Sequence, residues 1–482
     1  MQIPNLRVLA PEAIILAFVL LVLFVDALSR KKRVGLLGGL SLLGVILAVA
    51  ASVYYWQDGA ATFQGMVVAD PYGMFANLLF LLAAGLAILM GLEAVRRFVL
   101  PGEVFVLILI ACLGMMLLGS SVNLVSVFLA LEILSISLYV LTASARDEWR
   151  SVEAGMKYFI LGGFASAFLL FGIAMIYGAS GTLSLAEISP QVGAPASLLD
   201  NPLLAAGFIF LLVGFAFKVA LVPFQMWTPD VYEGAPSLVT AFMSVGAKAA
   251  GFVALIRILE TAFPYWKAAW GLLLAILAVL TMFWGNMAAL SQKSVKRMLA
   301  YSSIAHAGYI AIGLAVAGRA GYASILFYLL CYTLMNVGAF AVILALGRKG
   351  EPNEMMEDYD GLIHRKPILA VVMALFMLAL AGIPLTAGFL GKLYIFSAAV
   401  SGGYIWLAAV GVINAVISAY YYLRVAARMF FGEAPADAKP ISVPWPLALT
   451  LILTALAVIF FGVYPTPILD FIQLALRPIV GF

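Results

Sequence analysis

Charge is scarce in this sequence. Only 10% of its 482 residues are Asp, Glu, Lys or Arg, and 65% are hydrophobic. A soluble domain carries about 25% charged residues, so a water-soluble globule is excluded, and with it a basic surface for nucleic acid. Cysteine and histidine are nearly missing, with two of each. Cys112 and Cys331 lie inside apolar runs and read as small core residues. There is no CxxC pair, no His/Cys cluster at metal-ligand spacing and no GxGxxG after a strand. The nearest glycine cluster, GLLGG at Gly35 to Gly39, has the wrong spacing and opens an apolar run. Nothing here is built to hold a nucleotide, haem or iron–sulfur centre. A cleavable leader is also missing. Arg30, Lys31, Lys32 and Arg33 follow the first apolar run, Ile14 to Leu28, instead of preceding it.

What remains is apolar sequence long enough to cross a bilayer many times. A helix spans the ~30 Å hydrocarbon core in about 20 residues, and the runs do not alternate as barrel strands would. The reading is an all-α integral membrane protein with fourteen spans: 12–29, 34–56, 71–95, 102–119, 121–143, 153–178, 203–222, 238–259, 268–290, 299–317, 322–346, 367–400, 404–431 and 446–464. Basic residues sort these spans by side. The loops after odd-numbered spans, with the adjoining helix ends, carry Arg30, Lys31, Lys32, Arg33, Arg96, Arg97, Arg146, Arg150, Lys293, Lys296, Arg297, Arg348, Lys349, Arg365, Lys366, Arg424, Arg428 and Lys439. The loops after even-numbered spans carry Lys267 and Arg319. By the positive-inside rule both termini face the outer side. Tyr54, Trp56, Trp227 and Trp266 near span ends read as interfacial anchors, and His364 as a surface residue of a basic inner loop.

Five basic residues fall within spans. Arg257 is near an outer helix end and is expected to snorkel. Lys157 is expected to pair with Glu153 at i,i+4. Lys218, Lys248 and Lys392 are harder to place, because a central charge costs about 2.5–3.5 kcal/mol on insertion scales. Lys248 shares a helical face with Thr240 and Ser244. Glu132 lies mid-span in the fifth run. Lys218 precedes Pro223 by five residues, and Lys392 follows Pro384 by eight. The run 367–400 would also make a helix of about 50 Å at 1.5 Å per residue, too long unless it breaks near Gly382 to Gly391. Proline breaks at membrane depth survive where protein or water satisfies the freed backbone, and transporters build ion sites this way. Spans 7 and 12 are therefore read as discontinuous. Their offset of five makes spans 4–8 and 9–13 candidate inverted repeats. The chain then divides into 1–100 with three spans, repeats at 101–260 and 261–432, and a C-terminal helix in 433–482. Between the breaks, Ser302, His306 and Tyr309 share one face of LAYSSIAHAGYI, and His306 is a candidate relay. Asn336 and Asn414 are candidates to line the same path.

The stretches LALEILSISLYVL, FKVALVPFQMWTPDVYEGAPS, QKSVKRMLAYSSIAHAGY and GIPLTAGFLGKLYIF closely resemble the subunit N family of bacterial NADH–quinone oxidoreductase (respiratory complex I), within a superfamily that includes Mrp-type antiporter subunits. Lys392 separates the chain from the subunit M type, which the family pattern gives a glutamate there. The absence of a long C-terminal lateral helix argues against the subunit L type. The resemblance implies a proton channel in a bacterial inner (plasma) membrane, with Glu132, Lys218, Lys248 and Lys392 as its proton-carrying residues. It also implies that FMN, iron–sulfur clusters and quinone belong to other subunits. The expected partners are other membrane subunits, especially the M type and the small J and K types, together with lipid, water and protons. Other readings of the residues are an Mrp-type cation/proton antiporter subunit, a ferredoxin-driven relative, and a scaffold whose charges only fix helix packing.

Overall fold

The computed structural model describes residues 5–29, 33–56, 59–98, 100–192, 200–348, 350, 353–434 and 440–480. Arg30, Lys31, Lys32, Lys349 and Lys439, counted above among the basic loops, lie outside them. Twenty helices follow one another: α1 (Ala10–Leu28), α2 (Val34–Tyr54), α3 (Pro71–Arg97), α4 (Glu103–Ser120), α5 (Leu124–Thr142), α6 (Trp149–Ser180), α7 (Leu185–Val192), α8 (Pro202–Val219), α9 (Trp227–Gly234), α10 (Ser237–Ala262), α11 (Lys267–Leu290), α12 (Val295–Val316), α13 (Gly318–Leu346), α14 (Leu362–Arg365), α15 (Pro367–Ala381), α16 (Ala387–Ser401), α17 (Ile405–Phe431), α18 (Trp445–Val463), α19 (Thr466–Ala475) and α20 (Arg477–Val480). A two-residue hairpin, Ala61–Thr62 with Val67–Val68, sits between α2 and α3.

Thirteen helices are long and apolar enough to span a membrane, and α15 with α16 supply one more crossing in two 15-residue pieces. Each piece is only about 22 Å long at 1.5 Å per residue, so neither crosses alone. This is the fourteen-span, all-α architecture expected. Short polar caps start several spans, because a side-chain oxygen takes up one of the four orphan N–H groups of a helix start. Asn123 accepts from Val125 N at 2.9 Å, so a cap at 121–123 divides the fourth span from the fifth. Asp70 accepts from Gly73 N at 2.7 Å at the start of α3.

The spanning windows of α10 and α13 are wholly buried. They form the axis of the bundle. A helix apolar on all sides needs no solvent face, and these two are ringed by the others. Lys248 sits on this axis.

Both expected breaks are present. In span 7 the helix ends at Val219, Ala220 takes a left-handed conformation, and the chain restarts as α9. In span 12 it ends at Ala381, Gly382 is left-handed at φ 89°, and α16 begins at Ala387. Helix α9 lies outside the expected span 7, and α19 adds a short helix after span 14. Phe471 of α19 stacks on Trp56 at 4.2 Å.

Three boundary expectations are corrected. Trp227 is buried, stacks on Tyr158 at 4.5 Å and donates its indole N–H to the Phe217 carbonyl at 2.9 Å. Its polar tip therefore finds a carbonyl freed by the break, not the interface. Trp266 is buried against Phe263 and Phe208. Arg257 does not snorkel. It is 3% exposed and grips Asp70 through two N–H···O bonds, at 2.7 and 2.8 Å, while its Nε donates to the Gly119 carbonyl at 3.1 Å. A guanidinium with a bidentate carboxylate has its donors satisfied without water.

Candidate functional site

The lysines of the broken spans lie on opposite sides of their breaks, Lys218 before one and Lys392 after the other. A helix end leaves four carbonyls without partners, and the C-terminal end is the negative pole of the helix dipole. Lys392 of α16 folds back onto the end of α15. Its Nζ donates to the Leu380 carbonyl at 3.0 Å and the Ala381 carbonyl at 2.8 Å. Lys218 stands in the last turn of α8, next to the other break. The interruption of span 12 thus supplies the acceptors that let the Lys392 amine reside at membrane depth, whereas Lys218 finds its acceptor on α5.

Gly382 makes the first arrangement possible. A Cβ there would lie 3.0 Å from Lys392 Cδ, and its φ of 89° is one that L side chains rarely adopt. Gly382→Ala is expected to cost more than about 1 kcal/mol and to push Lys392 off the α15 carbonyls. The check is a lowered thermal midpoint.

Lys218 is 3% exposed. Its Nζ donates to the Tyr139 hydroxyl at 3.5 Å and lies 5.3 and 5.6 Å from the ring centres of Tyr139 and Tyr158. Glu132, two turns before Tyr139 on α5, is half-buried and accepts from the Ser166 hydroxyl of α6. Lys218 makes no ion pair among the described residues.

Lys248 donates to the Ser303 carbonyl of α12 at 2.5 Å and to the Ser303 hydroxyl. Its expected polar stripe is real. Thr240 donates to the Tyr232 carbonyl at 2.8 Å, and Ser244 accepts from Asn336 Nδ2 at 2.6 Å.

From Ser303 the polar chain continues along α12. Ser302 shares a hydrogen bond with the Tyr422 hydroxyl, which lies 2.9 Å from His306 Nε2. His306 Nδ1 lies 2.7 Å from the Tyr328 hydroxyl. Tyr309, one turn on, accepts from Asn286 Nδ2 at 3.2 Å, and Lys392 Nζ lies 5.0 Å over the Tyr309 ring. Asn286 also donates to Asn414 Oδ1 at 3.0 Å and accepts from Tyr421 at 3.0 Å. Hydroxyls and a neutral imidazole can each accept one hydrogen while donating another, so this chain of groups can pass a proton.

The candidate residues sit in separate polar clusters, each with partners the sequence alone does not mark: Glu132 with Ser166, Lys218 with Tyr139, Lys248 with Ser303, His306 with Tyr328 and Tyr422, and Lys392 over Tyr309, which Asn286 holds. The available signal was tyrosine in mid-span, away from the interfaces where it is common.

At the end of the bundle where α6, α9 and α12 meet is a charged cleft of about 290 Å³, lined by Arg150, Glu153, Lys157, Asp230, Glu233 and Arg297. Lys157 makes the expected pair with Glu153 at 2.9 Å and a second with Asp230 at 3.2 Å. Arg297 bridges Glu233 and Asp230. Trp227, stacked on Tyr158, comes from the same short helix as Asp230 and Glu233. His364 is exposed as expected. Lys296, counted as a loop residue, is instead buried and paired with Glu354 at 2.8 Å.

The transmembrane model of the NADH:quinone oxidoreductase/Mrp antiporter family matches residues 121–418, which hold both breaks and all the buried lysines. NADH-quinone oxidoreductase subunit N of Trichlorobacter lovleyi is 48% identical over 480 residues, covering 99% of this chain and 98% of that protein. The chain belongs to the NADH-quinone oxidoreductase subunit N family. A second member of the subunit N family, subunit N 2 of Roseiflexus castenholzii, is 44% identical over 97% of this chain and 95% of its own. A chain of respiratory complex I from Thermus thermophilus superposes with a TM-score of 0.80 at 36% identity, covering 95% of this chain and 98% of that one. A chain of the Mrp complex from a Dietzia species gives a TM-score of 0.86 at 21% identity, covering 98% and 97%, and shares the fold.

Proposed function

We propose that this chain is a membrane-arm subunit of a proton-translocating NADH–quinone oxidoreductase, carrying protons through a buried series of amines while redox chemistry runs in other subunits. The observation that carries the reading is three buried lysines on the two broken spans and the bundle axis, none paired with a carboxylate among the described residues, with a hydrogen-bonded cluster of hydroxyls and one imidazole around α12 between Lys248 and Lys392. A structural role would favour paired charges. An amine without a carboxylate is free to lose its proton and regain it.

The charged cleft collects protons on the inner side, and both termini face the outer side, as the basic loops suggest. Lys218 takes up the proton and holds it while Glu132 is close, because a nearby carboxylate favours the ammonium and a dry apolar site disfavours it. When Glu132 withdraws or its charge is compensated, the proton moves to Lys248. It then passes by Ser303, Ser302, Tyr422, His306 and Tyr328 to Lys392 and the outer side. Moving one charge against 100 mV takes about 2.3 kcal/mol, and one unit of pKa change supplies 1.36. Swings of roughly two units at the lysines are therefore of the right size. FMN, iron–sulfur clusters and quinone reside in other subunits, and the neighbours are membrane subunits of the M, J and K types in a bacterial inner membrane. Residues 1–100 add three supporting spans, 101–260 and 261–432 are the inverted repeats, and 433–482 closes the bundle.

The test is Lys248→Arg. Arginine keeps the charge and bonds Ser303 but does not release its proton at physiological pH. Proton pumping driven by NADH in membrane vesicles should fall by about tenfold or more with the complex intact. Pumping at the wild-type ratio of protons to NADH would overturn the reading. The family description also covers Mrp antiporters. Sodium-dependent transport without NADH, and no redox partners on purification, would favour that second reading.

A further inference from the structure

Outside the lysine series, one buried carboxyl has no assigned task. Glu12 lies in the first turn of α1 and is 3% exposed. Asn77 of α3 is 1% exposed and donates from Nδ2 to Glu12 Oε1 at 2.9 Å. The other two oxygens of this same pair, Glu12 Oε2 and Asn77 Oδ1, are both buried and have no hydrogen-bond partner. Two acceptors on adjoining groups, each lacking a donor, can be satisfied together by one hydrogen on the carboxyl. An unmade bond at each would cost about 1–3 kcal/mol. The titratable group facing Glu12 from α4 is Cys112, whose thiol is directed to Met116 Sδ at 3.9 Å and does not supply that donor.

We propose that Glu12 is a proton-binding site, closed as a cyclic pair in which Glu12 Oε2–H donates to Asn77 Oδ1 while Asn77 Nδ2–H donates to Glu12 Oε1. All four polar atoms are then satisfied and no charge is buried. A glutamine would make the same ring of bonds, so glutamate adds one property, the ability to release the hydrogen ion. Once it does, a carboxylate oxygen faces an amide oxygen, and the pair opens. Only a third of the α1 spanning window is buried, against more than three quarters for α3. The Glu12–Asn77 contact is therefore a proton-dependent latch between a helix at the edge of the bundle and α3.

Infrared spectra of the purified full-length chain in nanodiscs, comparing wild type with Glu12→Gln at neutral pH, test this. The expected result is a protonated-carboxyl C=O band present in wild type and lost in Glu12→Gln. In Asn77→Leu that band should move to the frequency of a carboxyl without a donor on its carbonyl. A difference spectrum showing only carboxylate bands would overturn the proposal, and it does so even where Asn77→Leu fails to fold. Amide exchange reports the latch. At alkaline pH, exchange in α1 should run several-fold faster in wild type than in Glu12→Gln, and the two should match at neutral pH. Equal exchange at both pH values would exclude the latch.

Discussion

Lys218→Ala is expected to lower coupled proton translocation about a hundredfold, the size of loss typical when a proton-transfer group is removed, with the chain still folded and assembled. The second half of that expectation is as informative as the first. Removing one member of a buried ion pair leaves an uncompensated charge. Lys218 has no such partner, only the Tyr139 hydroxyl at 3.5 Å and aromatic faces. Its removal therefore relieves a burial cost and leaves the Tyr139 hydroxyl short of a donor, while Glu132 keeps the Ser166 hydroxyl at a half-buried site. Glu132→Ala should impair transport as well, because the charge that holds the proton on Lys218 is gone, while Ser166 loses an acceptor at a half-buried site. The measurement is proton uptake by inverted vesicles against NADH oxidation in the same sample. Near-normal uptake in both variants would remove Lys218 and Glu132 from the path.

The spans were legible because each is a long apolar run, and the breaks because proline and excess length cannot fit one straight helix. Lys392 was legible for the same reason: a lysine eight residues past Pro384 in a largely apolar run has no structural excuse. The partners were not legible. Tyr422, which joins Ser302 to His306, is 116 residues from His306 in sequence, and nothing local marks one tyrosine of Tyr420, Tyr421 and Tyr422 as the one facing inward. Asp70 reads as a loop residue, yet it receives Arg257 from 187 residues away. A span-end arginine has two outcomes, water or a carboxylate, and sequence order does not reveal the second. Helix α9 was hidden because WTPDVYEG carries two acids and a proline, which read as loop even though the Trp227 and Tyr232 face is buried.

Paired and unpaired buried charges should then respond in opposite ways, and Arg257 supplies the contrast. Asp70→Asn keeps the cap on α3, since asparagine serves there as well as aspartate, but it removes the carboxylate and strands a 3%-exposed guanidinium. We expect a loss of about 3–5 kcal/mol, seen as a lower thermal midpoint and faster amide exchange in α3 and α10. Transport per folded complex should stay near wild type, because the pair has no bond to the lysine series among its contacts with Asp70, Gly119 and the Tyr72 ring. Arg257→Met alone should cost less. The carboxylate it leaves still accepts from Gly73 N at 2.7 Å and lies at the positive end of α3. In the double variant, Asp70→Asn with Arg257→Met, no charge remains buried, and most of the stability lost in Asp70→Asn should return. That return is a coupling between the two positions. If the double variant is instead as unstable as the sum of the singles, the pair contributes through packing around Tyr72 and Gly119, and charge burial does not govern this end of α10.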